Sequence, residues 1–272
     1  MNSALEAALA LEQAGHLLEA AAAYRQIGPD DPGHATALGR VDVIALAAGE
    51  AAEAGRWFER ALDLDDDPDL WAELAQARAQ EGKIEAAGEC CRRALALDPD
   101  HFFALCRQGE FLAMAGQVGA AVESLQRALV QQPESPEANY ILAFLLGLEG
   151  RHEEAIESYD RTLANRPDWP EALRQRSEQW LILGQLDQAR RDLDEATRLD
   201  PADAFTSYQR GALEMAAGNT AAAIRAFGQV IERTPGDAAL LLNTGIQLLA
   251  LEQPDTAAPF PMLRDPPWPP NK

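Results

Sequence analysis

The chain has 272 residues, of which 47% are hydrophobic, and a formal net charge of −21 at pH 7. That composition suffices for a buried core, while a field of that sign repels phosphate backbones and anionic lipid surfaces and so argues against nucleic acid or membrane partners. Three cysteines (Cys90, Cys91, Cys106) lack metal-type spacing, no apolar run reaches a membrane span, and the opening residues carry no leader pattern, so the expectation is a soluble, cytoplasmic chain with reduced thiols.

In chain order, helical runs come in pairs, expected at about 2–28, 35–64, 69–97, 102–131, 136–165, 170–199 and 204–233, with a single helix at about 237–251. Strand alternation and hairpin turns are lacking. Within each pair a glycine separates the runs: Gly15, Gly49, Gly82, Gly116, Gly150, Gly184 and Gly218, at spacings of 34, 33, 34, 34, 34 and 34 residues. A helix end at such a place needs a residue tolerant of positive φ. Five residues after each glycine stands a small residue where two helices must approach: Ala20, Ala54, Ala87, Ala121, Ala155, Ala189 and Ala223. Four further on come Tyr24, Phe58, Cys91, Leu125, Tyr159, Leu193 and Phe227, and three beyond those Ile27, Ala61, Ala94, Ala128, Thr162, Ala196 and Val230. Those spacings place the three columns on one face of a helix. A proline usually closes the repeat (Pro32, Pro99, Pro133, Pro167, Pro201, Pro235); the second repeat has Asp66 there and Pro68 two residues on.

The repeats are read at about 1–34, 35–67, 68–101, 102–135, 136–169, 170–203 and 204–237, forming one domain over 1–253. Residues 254–272 carry seven prolines, which excludes helix and suggests extended or disordered chain, together with Phe260, Met262, Leu263 and Trp268. The final helix spreads Leu240, Leu241, Leu242, Ile246, Leu248, Leu249 and Leu251 over more than one face, where a terminal helix ordinarily turns a polar side to water. Something is expected to cover it: the tail, a second copy or a partner.

Ahead of the glycines the pattern continues, with Trp71, Leu74 and Ala75, then Leu105, Gly109 and Leu112, then Leu142, Ala143 and Leu146. With the columns above, these positions resemble the tetratricopeptide repeat, over nearly the whole chain. The resemblance implies an all-α, right-handed superhelical solenoid of about seven helix pairs plus the unpaired helix and the Pro-rich tail. It also implies a concave groove lined by the first helix of each repeat, through its second, fifth, ninth, twelfth and thirteenth residues. Those positions concentrate aromatic and charged residues late in the array, and the expected peptide-binding groove is Phe103, Tyr140, Phe144, Arg174, Phe205 and Tyr208. Aromatics supply contact area and Arg174 can pair with a carboxylate, while Glu110, Glu137 and Glu178 favour some basic character in the ligand. The Lys–Asn–Arg clamp by which one subfamily grips chaperone C-termini is absent: Leu5 and Leu9, then Cys106, Glu110, Ile141, Glu171 and Gln175 stand at its places.

No phosphate loop, nucleophile elbow or His pair stands out, so no catalysis, cofactor or metal is expected. The acidic run Asp63–Asp69 lacks the spacing of a calcium loop and reads as a solvated turn. The function expected is a non-catalytic scaffold or adaptor holding a protein or peptide partner with apolar and basic segments. The alternatives are a chaperone-like holder of an apolar, basic client and a structural protein that self-associates through its terminal helices.

Overall fold

The structure, a computed structural model, describes residues 3–28, 31, 33, 34, 36, 37, 40, 51–234 and 236–252. Gly49 and the Pro-rich segment 254–272 with Phe260 and Trp268 lie outside the described residues. Among the described residues there are fourteen α-helices and no strand. They fall into two compact units, the first ending at Gln132 and the second beginning at Pro133.

The N-terminal unit contains α1 (Ser3–Gln13), α2 (Leu17–Arg25), α3 (Ala51–Leu62), α4 (Pro68–Gln80), α5 (Ile84–Leu97), α6 (Phe102–Met114) and α7 (Val118–Gln131). Helices pack on their sequence neighbours, α1 on α2, α4 on α5 and α6 on α7, and the first helices α4 and α6 also touch. Side chains tie these layers together. Arg78 on α4 donates to Glu59 on α3 and, at 2.6 Å, to Glu81. His101 caps α6 by accepting from the Ala104 N–H and reaches back 2.9 Å to Asp69 on α4. In the acidic run, Asp67 accepts from the Asp69 N–H to cap α4, and Asp66 accepts from the Trp71 indole at 2.5 Å.

The C-terminal unit contains α8 (Pro136–Leu148), α9 (His152–Asn165), α10 (Pro170–Ile182), α11 (Leu186–Leu199), α12 (Ala204–Ala216), α13 (Thr220–Arg233) and α14 (Ala238–Glu252). The pairs are α8 with α9, α10 with α11 and α12 with α13, each second helix packing on the next first helix, and α8, α10, α12 and α14 follow one another in contact. Arg176 on α10 joins three helices: it forks onto both oxygens of Asp192 on α11, at 2.8 and 2.6 Å, and donates to Asp160 on α9 at 2.6 Å. Arg210, one period later, repeats the link from α12 to Asp194 on α11.

The turn glycines do what their spacing requires. Gly15, Gly82, Gly116, Gly150, Gly184 and Gly218 all have φ between 72° and 80°. At Gly150 the next residue, Arg151, donates its N–H to the Leu146 carbonyl at 2.9 Å, satisfying an orphan carbonyl of α8 and reversing the chain into α9. The alanine column is buried without residual exposure at all seven positions, and the two columns after it are buried throughout. In the repeats whose first helix is described, these three columns are the seam on which the second helix meets the first.

How close the helices come is measured at Gly211. A Cβ there would lie 2.4 Å from a ring carbon of Phe227 on α13, so only hydrogen fits. Gly228, also on α13, has open space around a hypothetical Cβ. Two substitutions of identical chemistry should therefore have opposite signs. Gly211→Ala overpacks the seam and should lower stability by about 1–2 kcal/mol net of its helix-propensity gain. Gly228→Ala should raise stability by about 0.5–1 kcal/mol through reduced unfolded-state entropy. Urea unfolding midpoints of the two variants check the pair.

Candidate functional site

The first helices of the C-terminal unit carry five of the six residues that the sequence assigns to a binding face. Tyr140 and Phe144 stand one turn apart on α8, Arg174 on α10, and Phe205 and Tyr208 on α12. Phe103 is on α6 of the N-terminal unit, 52% exposed, with its ring edge-on to Phe102 at 5.2 Å. Phe205 is half-buried, whereas Tyr140, Phe144, Arg174 and Tyr208 are buried. Solvent thus reaches Phe103 and part of Phe205, and the other four belong to a covered face.

Local structure fixes each of these side chains. Tyr140 stacks on Trp169 with ring centroids 4.5 Å apart and meets Tyr159 of α9 edge-on at 5.9 Å. The Arg166 guanidinium lies over the other side of this system, 4.3 Å from the Trp169 centroid. Arg174 lies 5.3 Å from the Phe205 ring, and its Nε is 3.7 Å from an oxygen of Asp203. That same Asp203 caps α12, accepting from the N–H groups of Phe205 and Thr206 at 3.0 and 2.9 Å. The cap therefore sets both the helix start and the negative charge beside Arg174. Tyr208 packs on Phe227 at 5.7 Å, and burial raises its phenol above the usual range, opposed by a hydrogen bond with Gln247 of α14.

Between these residues runs a buried polar band: Gln175, Ser177, Glu178 and Gln179 on α10 and Gln209 on α12. Ser177 donates to the Gln209 side chain at 3.1 Å, and His152 Nδ1 is 2.8 Å from Gln179 Oε1. Gly147 leaves room for that glutamine, since a Cβ there would come within 3.0 Å of its oxygen. Of this band the sequence picks out Glu178 as a charged groove residue; the rest of the band, as a buried network, and Trp169 were not picked out from sequence. Trp169 had a visible signal: it occupies the position before the helix-opening proline where Asp67 and Ser135 cap theirs, and it makes no side-chain cap.

Among the described residues, no group of three or more His, Cys, Asp or Glu is placed to hold a metal, and no helix is long and apolar enough to cross a membrane. The arrangement offers aromatic surface, two guanidiniums and amide groups, which is a recognition chemistry.

Two family models described as Tetratricopeptide repeat match the chain, one over residues 106–170 and 208–260 and the other over 68–111, together more than half of its length. The chain belongs to the tetratricopeptide repeat family. Arrays of this family serve protein–protein interaction and are in general non-catalytic. No curated protein matches the chain in sequence. Solved structures with the same fold include Pseudomonas aeruginosa pilF, at 19% identity and a TM-score of 0.68, covering 81% of this chain and 97% of that one. The Cut9–Hcn1 hetero-tetramer of the APC/C matches 90% of this chain and 48% of its own, at 17% identity and a TM-score of 0.71. YrrB, described as a TPR protein with an unusual peptide-binding site, matches 69% of this chain and 97% of its own, at 22% identity and a TM-score of 0.61. At these identities the likeness is one of fold.

On the first-helix face of this tetratricopeptide array, Cys106 of α6 occupies the column of Tyr140, Arg174 and Tyr208. Burial pushes its thiol to about 12, as it does Cys91 to about 12 and Cys90 to about 11. At pH 8 a thiol near 12 is only about one part in ten thousand thiolate, the reactive form. Native protein should react with a disulfide reagent at least about 100-fold more slowly than free cysteine, with all three thiols appearing at once in denaturant. A native thiol that reacts within mixing would contradict the packing.

Proposed function

We propose that the chain is an adaptor whose C-terminal first-helix face holds an extended segment or amphipathic helix from a protein partner. The observation that carries this reading is the register of Tyr140, Phe144, Arg174, Phe205 and Tyr208 on successive first helices, with Arg174 lying over the Phe205 ring. Aromatic anchors with the guanidiniums of Arg166 and Arg174 held against them suit a ligand with apolar side chains and a carboxylate, and the nearby Glu178 suits a basic neighbour. A face built on rigid helices lowers the ordering cost on the protein side. The description of YrrB as carrying a peptide-binding site supports a peptide as the ligand class.

The test uses a photo-crosslinking amino acid in place of Phe205, and, as the control, in place of the half-buried Glu195 on α11. Partners should crosslink from position 205 and not from 195. Adding Arg174→Gln should reduce the yield at 205 about ten-fold, the scale of a charge-assisted contact. Equal crosslinking from both positions would sink the assignment of this face.

A further inference from the structure

Among the described residues α14 is a first helix without a second. At 34-residue steps Gly245 stands in the column of Gly211, and Gly109 holds the same place on α6. At those two glycines the second helix of the pair fills the space a side chain would take. The Phe227 ring sits over Gly211, and Leu125 lies 2.9 Å from where a Cβ of Gly109 would be. Over Gly245 no described residue lies within 4 Å. The surface beside it is apolar. Leu242, Ile246 and Leu249 are 66%, 45% and 65% exposed, and with Gly245 they share an arc of about 100° of the helix. Leu240, Thr244 and Gln247 lie on the opposite side and are buried, where α14 packs on α12 and α13. The last helix of a repeat array ordinarily turns polar residues outward, yet α14 carries a single charged residue, Glu252 at its end.

We propose that this outward stripe is a contact between two copies of the chain, α14 lying antiparallel on α14 across a two-fold axis between Gly245 and Ile246. The proposal is independent of the peptide-binding reading, since Arg174 and Phe205 lie on other helices. The order of residues along the stripe decides the occupant. Reversing the helix about the point between Gly245 and Ile246 sets Leu242 opposite Leu249 and Ile246 opposite Gly245. Each copy then inserts Ile246 as a knob into the space open over the other copy's Gly245, which makes the contact isologous. A parallel pair would set glycine on glycine and Glu252 on Glu252, leaving a void at the centre and like charges at the end. Charge points to the same occupant. Two chains of net charge −21 repel one another, and the stripe lets them meet without setting carboxylate on carboxylate. A basic ligand would find no carboxylate within it. A helix of 15 residues is about 22 Å long, so the pair buries an area near the lower limit for specific association, about 1,000 Å². The dimer should therefore be weak, with a Kd of about 10–100 µM. Once formed, it presents the first-helix face twice, to a partner carrying two segments.

Sedimentation equilibrium of the full chain from about 5 µM to about 500 µM tests the proposal, a range that brackets the expected Kd. The mass should climb from 29.5 kDa toward twice that value, and climb further at higher salt, which screens the repulsion between copies. Leu242→Ser with Leu249→Ser should hold the mass at one chain, whereas Ile224→Ser, at an exposed position on α13, should leave association unchanged. The register is read by exchange. Gly245→Ile fills the space that the other copy's Ile246 enters and should weaken association about ten-fold or more. Adding Ile246→Gly exchanges knob and hole across the axis and should restore association to within about three-fold of the original. The substituted positions face outward or open space in the single chain, so helicity should be unchanged in every variant. A mass fixed at one chain across the whole range would overturn the proposal. So would association that survives the α14 substitutions, or an exchange that fails to restore it.

Discussion

Everything in this chain hangs on one close approach: the seam where each second helix lies against its first helix. Ala20, Ala87, Ala121, Ala155, Ala189 and Ala223 are all fully buried at that seam, and a larger side chain one turn on fills the space behind each. Small residues let the backbones come together, and the large ones recover the apolar burial that small ones forgo. At Gly211 the approach is so close that Phe227 occupies the volume a methyl would need. A helix pair of this kind buries only part of its apolar surface. The remainder must meet the next pair, which is why the pattern repeats.

The seam also explains why the fold was legible in the sequence. Its determinants are local and periodic: a glycine that must take positive φ, an alanine that must be small, a proline that must end a helix. Each is chosen by backbone geometry within a few residues, so each can be read from its neighbours. Gly15 through Gly218 show the required φ at every described turn.

The candidate site was legible only as a register. Sequence alone places Phe103, Tyr140, Phe144, Arg174, Phe205 and Tyr208 on first helices, and the structure has them on α6, α8, α10 and α12. It could not tell Phe103, which is exposed, from Tyr140, which is buried against Trp169 and Tyr159. That distinction depends on what lies across the face, and no periodicity along the chain encodes it. Trp169 escaped notice for a related reason. Its position reads as a helix cap, and its role comes from the ring of Tyr140, on the preceding first helix, with Arg166 closing the stack.

The burial of polar groups then separates recognition from mere packing. An apolar face would be cheaper to cover, and replacing buried ion pairs by hydrophobic side chains is often neutral or stabilising. This face instead keeps Arg174, Glu178, Gln175, Gln179 and Gln209 beneath its surface. Such groups penalise any occupant that cannot satisfy them, since an unmet buried charge costs more than a met one gains. On the proposed adaptor reading, the aromatic residues would set how strongly a segment binds, and the polar band would set which segment is tolerated. On the same reading, the net charge of −21 would act outside that filter, favouring the approach of basic partners and leaving the choice to the groups within.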